Sequence, residues 1–276
     1  CLRLSTKKEL LLSMLTHFKC RAGFYPRSNI ERDDVPDNKV SWDTEFKKYN
    51  PPTYTSPTIK GKPWADPDIA KPDFKPKWNN LDGHVNRMSH TGNYKILNGF
   101  PLNPVGRTGI TGRGVLGRWG PNHAADPVVT RWKPDQSNRQ ILQFIAIKRS
   151  DTREWALPGG MVDPGEKVAA TAIREFQEEA LNTLEASEEK FKNFFSGGIE
   201  IYSGYVDDPR NTDNAWMETV AFNFHDNDGS IVGDLQLNAG DDAVGVCWVD
   251  ITSDLKLYAS HKDIVDSVLA RHITSN

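Results

Sequence analysis

Cysteine is scarce: Cys1, Cys20 and Cys247 are the three in a chain of 276 residues. So few, and so scattered, they exclude a disulfide framework, and no C-x-x-C pair is present to hold zinc. A reducing, intracellular compartment is the expectation that follows. Long apolar runs are missing as well. No stretch approaches the roughly 18–20 residues that cross a bilayer, so membrane insertion by this segment is not expected. Neither sign of charge dominates, since 34 Lys and Arg stand against 37 Asp and Glu, a net charge of −3. That balance argues against a dedicated nucleic-acid binder, which carries a basic surplus. Local Arg clusters can still serve a small polyanion. Internal repeats are absent too. The composition, 37% apolar and 26% charged, is that of a globular chain long enough for one large domain or two modest ones.

Methionine is also missing from position 1, where Cys1 stands, and the expectation is a chain processed or excised from something longer. Residues 1–20 read as a linker or leader helix. Leu11, Met14, Leu15 and Phe18 fall at helical spacing among Arg3, Lys7, Lys8 and Lys19. A linker leaning on a larger protein and the remnant of a basic targeting segment both fit. Residues 21–124 read as a loop-rich N-terminal domain with short strands. Pro51, Pro52, Pro57, Pro63, Pro67, Pro72 and Pro76 interrupt regular structure there, and Trp42, Trp64 and Trp78 are expected to help hold it.

From residue 125 to 276 the texture is that of a layered core. Val128–Trp132 and Ile141–Lys148 read as strands joined by a turn at Pro134–Asn138. Val168–Leu184 has helical periodicity, with Ala169, Ala172, Ile173, Phe176 and Ala180 on one face. Ile199–Val206, Thr219–Phe224 and Val244–Val249 read as further strands, and Lys262–His272 as a closing helix. Strands mixed with helices predict an α/β (α+β) fold with a sheet between helices.

The chemistry concentrates in Gly159–Glu179, GGMVDPGEKVAATAIREFQEE. Glu175, Glu178 and Glu179 stand at i, i+3 and i+4, so they share one narrow helix face away from the apolar one. Crowded carboxylates repel one another, and a divalent cation removes the penalty; oxygen-only ligands favour Mg2+, with Mn2+ as the alternative. Arg174 lies four residues before Glu178 and can pair with it, while Glu166, in the loop before the helix, can brace the cluster. Gly159, Gly160, Pro164 and Gly165 supply the tight turns. Three Glu on a helix are more often a solvated face than a metal site; it is the ordered combination that points to metal chemistry.

This stretch resembles the Nudix box, G-x5-E-x7-R-E-U-x-E-E-x-G-U, where U is bulky and apolar. Gly160, Glu166, Arg174, Glu175, Phe176, Glu178 and Glu179 fall on the pattern, whereas Leu181 and Asn182 replace its closing Gly-U. The resemblance implies a Nudix fold, a mixed sheet sandwiched between helices, and magnesium-assisted hydrolysis of a nucleoside diphosphate linked to another group. Glu166, Arg174, Glu175, Glu178 and Glu179 would then be the catalytic set, the last three holding metal. The general base is open between a box glutamate and a later carboxylate such as Asp241 or Asp242.

The segments 106–127, 204–216 and 256–261 are similar to one Nudix branch, the mitochondrial ADP-ribose pyrophosphatases with the related C-terminal domain of ADP-ribose-gated melastatin-type TRP channels. That resemblance runs over nearly the whole chain after Tyr25. It implies a loop-rich cap on the Nudix core, ADP-ribose as substrate, and AMP and ribose 5-phosphate as products. It also implies that Asp208 and Arg210, with Asn211 alongside, hold the terminal ribose, and that Tyr258 and His261 offer flat faces to adenine. On their own residues, Tyr258 reads rather as a half-buried core tyrosine and His261 as a surface histidine. Asn122 and His123 are further substrate-site candidates where the glycine-rich run meets the core.

That run, Gly112, Gly114 and Gly117, spells G-x-G-x-x-G, but no apolar strand precedes it and no helical pattern follows, which rules out a Rossmann reading. Arg107, Arg113 and Arg118 make it either an anion-contacting loop or an ordered coil. Two function classes stay in play: an ADP-ribose diphosphatase, and an ADP-ribose-sensing domain of a cation channel, part of a larger polypeptide. The first places the chain in the mitochondrial matrix, the second at the cytosolic face of a membrane. Hydrolysis of NADH or a nucleotide sugar is a third reading, weakened by the segments around Arg210 and Tyr258.

Overall fold

The computed structural model describes residues 17–21, 23–134, 136–180, 189–232, 237 and 243–274. Of the expected leader helix, residues 1–16 lie outside that set and residues 17–20 are irregular chain and turn rather than helix. Asp241, Asp242 and the expected helix end from Leu181 to Leu184 also lie outside it, and of Glu179 only the helical backbone is described. No helix among the described residues is long and apolar enough to cross a membrane. The chain divides into two compact units, one of residues 1–122 with Tyr205–Glu218, the other of 123–204 with 219–276.

The first unit has little regular structure. Two short antiparallel ribbons, Leu81–Asp82 with Val85–Asn86 and Ile96–Leu97 with Phe100–Pro101, accompany a parallel pair of Thr53–Thr55 and Thr111–Gly114. With so few ladder bonds, buried guanidinium groups satisfy the loop carbonyls instead. Arg107 donates to the carbonyls of Lys39, Ser41 and Thr44 and lies 4.9 Å from the Trp42 ring centroid. Arg113 donates to those of Asp66 and Gly117, and Arg118 pairs with the Asp66 carboxylate at 2.8 Å. The glycine-rich run is ordered, with Gly112 and Gly114 in the short strand Thr111–Gly114 rather than in a coil. Trp42 and Trp78 take part in the packing, Trp78 beneath the Arg87 guanidinium. Trp64 rests on Gly117 yet stays 44% exposed.

Segment 205–218 belongs to this unit although it looks like a polar loop. Asp208, Asn211, Thr212, Asp213 and Asn214 are all buried. The Asp213 carboxylate accepts from the Thr108 backbone and hydroxyl and from the Tyr49 hydroxyl at 2.6–2.8 Å.

The second unit is built on a sheet of β1 (Gly120–Pro134), β2 (Gln140–Arg149), β3 (Trp155–Ala156), β4 (Gly160–Met161), β5 (Ile199–Tyr205), β6 (Ala215–Asp226) and β7 (Ala243–Asp250). Its order is β5-β6-β1-β2-β7, with β3 beside β2 and β4 beside β1. β1 and β7 run antiparallel to β2. Between β6 and β1 the contacts advance in the same sense, Thr219 to Asp126 and Asn223 to Val128, as parallel strands require. The sheet is therefore mixed.

Alternation along β2 explains the layering. Leu142, Phe144 and Ala146 face α3 (His261–Thr274), packing with Val128, Ile264, Val265 and Val268. Ile145 points the other way, onto Phe176 of α1 (Val168–Ala180) and Phe191 and Phe195 of α2 (Glu189–Ser196). Each large side chain so buried contributes about 1.5–3 kcal/mol, and the period-2 pattern fixes which helix each one meets. The helices thus cover both faces. On α1, Ala172 and Phe176 are fully buried, but Ala169 is exposed, because the core meets the helix one turn further on than the sequence periodicity suggests.

Candidate active site

The loop before α1 passes between two carboxylates. A Cβ on Gly159 would overlap the Asp126 side chain, and one on Gly160 would overlap the Glu175 carboxylate. Gly159 also packs against the Ala125 backbone, which leaves no room for a side chain, whereas Gly160 meets only the far end of the Glu175 side chain. Asp126 is itself buried, accepting from the Thr219 hydroxyl at 2.7 Å. Sequence reasoning missed Asp126, since a single acidic residue inside a strand leaves no periodic trace.

Arg174 is the hub of the acidic face. Its Nε and Nη2 donate to the two oxygens of Glu166 at 3.1 and 3.2 Å. Its Nη1 lies 2.8 Å from Glu175 and 3.1 Å from Glu178. The Glu166 carboxylate also accepts from the Asp163 backbone amide. Hydrogen bonding from Arg174, ahead of a smaller burial effect in the opposite direction, lowers the Glu166 pKa to about 2. Glu175 moves upward instead: burial disfavours its charge, and Glu178 and Glu166 add repulsion that Arg174 only partly offsets. Three carboxylates thus share one guanidinium. The excess negative charge, on hard oxygen donors of α1 and of the loop before it, suits a divalent cation.

A second cluster follows directly along the chain. The Leu157 amide donates to His261 Nδ1 at 2.9 Å, and the Tyr258 amide donates to the Trp155 carbonyl at 2.8 Å. Tyr258 and His261 meet edge to face, with ring centroids 5.8 Å apart. Between them Ala259 holds a left-handed φ of 46°, which turns the chain into α3 and is costly for a residue with a Cβ. Tyr258 is only 6% exposed, and the Arg149 guanidinium lies over its ring, 4.3 Å from the centroid. The residues from Trp155 to Gly160 therefore contact Tyr258, His261 and Glu175 in turn.

The other candidates sit as follows. In the first unit, Asp208 holds Arg210 in a two-point ion pair at 2.7–2.8 Å and also accepts from the Arg210 backbone amide, so the guanidinium is fixed with part of its surface exposed. Asn211 spends both amide hydrogens on Tyr205 and Val206 and accepts from the Met217 amide, which ties the segment down. Asn122 likewise clamps the turn from Arg118 to Gly120. In the second unit, the His123 carbonyl accepts from the Val162 amide beside the glycine loop.

The family follows from the sequence over these same elements. Residues 127–268 match the family model described as the NUDIX domain. The chain belongs to the Nudix family. Residues 35–120 of this Nudix chain match the model described as the NUDT9-like, N-terminal domain. The chain is similar to the mitochondrial ADP-ribose pyrophosphatase of Rattus norvegicus, with 55% identity over 271 residues, 92% of this chain and 77% of that protein. It is also similar to a transient receptor potential cation channel subfamily M member-like 2 of Nematostella vectensis, with 48% identity over 92% of this chain and 18% of the channel. Subfamily M member 2 of Rattus norvegicus is 39% identical over 91% of this chain and 18% of its own length. As a Nudix hydrolase, the chain is an enzyme of a family that works with divalent metal ions.

Proposed function

We propose that this Nudix chain hydrolyses the diphosphate of ADP-ribose to AMP and ribose 5-phosphate, with Mg2+ held by Glu175, Glu178 and Glu179. The observation that carries the reading is the Arg174 hub, where one guanidinium on α1 is shared among Glu175 and Glu178 of the same helix and Glu166 of the loop before it. A cation there would neutralise phosphate oxygens and ease deprotonation of a bound water. The protein's own residues do the rest. Arg174 fixes the rotamers of Glu166 and Glu178, and Gly160 lets the β4 backbone lie against Glu175. ADP-ribose is supported by the 55% identity to a protein named for that substrate. Arg210, oriented by Asp208, is assigned the terminal ribose, and the Tyr258–His261 cluster the adenine.

A second reading is favoured by the 48% identity to a channel protein: the chain is the ADP-ribose-sensing part of a larger cation-channel polypeptide, at the cytosolic face of a membrane. The free enzyme would instead belong in the mitochondrial matrix. All box carboxylates are present, which supports hydrolysis in either setting. Glu178→Gln and Glu179→Gln are each expected to remove most turnover at saturating Mg2+ while leaving the unfolding temperature close to that of the parent. Near-parental rates in both variants would refute the metal assignment.

A further inference from the structure

The Tyr258 ring is a poor landing place for a base as it stands, because the Arg149 guanidinium already lies over it. We infer that the nucleotide base stacks on the outer face of Arg149, which is itself laid on Tyr258, so that the stack is tyrosine, guanidinium, base. This rests on the reading that the Tyr258–His261 cluster is the base subsite.

Two neighbours hold the guanidinium in place. Tyr258 supports it from below, and Asp151 grips it with a two-point ion pair, Nε to Oδ1 and Nη2 to Oδ2, both at 2.9 Å. Arg149 and Asp151 side chains each remain 27% exposed, so this pair is at the surface while Tyr258 is not. The backbone is held as well. The Arg149 amide donates to the Glu154 carbonyl and its carbonyl accepts from Arg153, which has a left-handed φ of 62°. The tip between β2 and β3 is thus a tight, strained turn that presents a flat cation at a set position.

A planar, delocalised guanidinium stacks on aromatic faces, where an ammonium acts only as a point charge. A base carries the π-face such a platform needs. The location suits a nucleotide too. Leu157, which anchors His261, is followed three residues later by Gly160 against Glu175, a chain length of at most roughly 10 Å. A base on Arg149 and a diphosphate at the carboxylates would be served by one continuous loop.

The test uses the whole chain, as parent, Arg149→Ala and Arg149→Lys. Steady-state rates are measured with ADP-ribose and with a base-free substrate, two riboses joined by a diphosphate. AMP binding is measured separately by calorimetry, which needs no turnover. The expected result is a KM for ADP-ribose about tenfold higher in Arg149→Ala, with kcat nearly unchanged and AMP affinity reduced in step. Arg149→Lys should recover little of this, and KM for the base-free substrate should not move. Unchanged KM and AMP affinity in Arg149→Ala would overturn the inference. So would an equal rise in KM for both substrates, or full rescue by Lys, since either makes Arg149 a charge or scaffold contact. If the parent binds AMP through Arg149 but hydrolyses nothing, the stacking platform stands and the diphosphatase reading falls.

Discussion

Gly160 shows how much of the site depends on a side chain that is absent. Its α-carbon sits where any Cβ would overlap the Glu175 carboxylate. The obstacle is the far end of a flexible side chain, so the fold can accommodate it by swinging Glu175 away. Gly160→Ala is therefore expected to lower kcat by one to two orders of magnitude, roughly the loss of a few kcal/mol of transition-state stabilisation. Its unfolding midpoint should stay close to that of the parent, and the apparent Mg2+ requirement should rise. Parental kinetics in Gly160→Ala would show that Glu175 need not occupy its observed place. At this scale the sequence was informative about residue types: the i, i+3, i+4 spacing puts the glutamates on one face before any coordinates are known. It did not disclose that Arg174 is shared among three of the carboxylates, because Glu166 reaches it through the loop fold and Glu175, its immediate neighbour on the helix, is not an i, i+4 partner. Nor did it disclose Arg149, whose place over Tyr258 joins positions 109 residues apart along the chain.

Helix α3 docks through a contact that pH should weaken. In its last turn His272 Nε2 lies 3.0 Å from the Asn223 side-chain oxygen on β6, and its ring sits 4.1 Å from that of His225. Trp132 of β1 meets both rings edge-on. Burial first, then the neighbouring His272, lowers the His225 pKa from 6.5 to about 4, with Asp226 opposing; burial lowers that of His272 as well. The folded state thus keeps His225 neutral where the unfolded chain takes up a proton. Stability is full above the unfolded value and falls as pH drops from about 6.5 toward 4. Thermal melts across that window should show a decline that His225→Gln makes shallower. An equal slope in the variant would assign the acid sensitivity elsewhere. Among elements, those with a clean period were legible: β2 and α3 lie within a few residues of their expected bounds. Short pieces were not. β3 and β4 have two residues each and no period to detect, and α2 takes its identity from Phe191 and Phe195 packing on Phe224 and Phe176.

For the molecule as a whole, the hardest feature to read was the membership of Tyr205–Glu218. A run of Asp, Asn, Thr and Pro carries no apolar pattern to place it in a core, yet its polar side chains are buried because they find partners in the first unit. Burial of polar residues follows from a hydrogen-bond network that only the fold assembles, whereas the apolar periodicity of the second unit is written locally. The functional class was legible for the opposite reason. The box is a contiguous pattern whose spacing carries its own geometry. Everything proposed for the reaction depends on chemistry at that box. It is probed most directly by AMP release from ADP-ribose by the purified chain, with Mg2+ and then with excess chelator. Equimolar AMP and ribose 5-phosphate are expected with Mg2+, and none with chelator. AMP formed at the same rate in chelator, or no AMP from a chain that is folded and supplied with Mg2+, would contradict the metal-dependent diphosphatase.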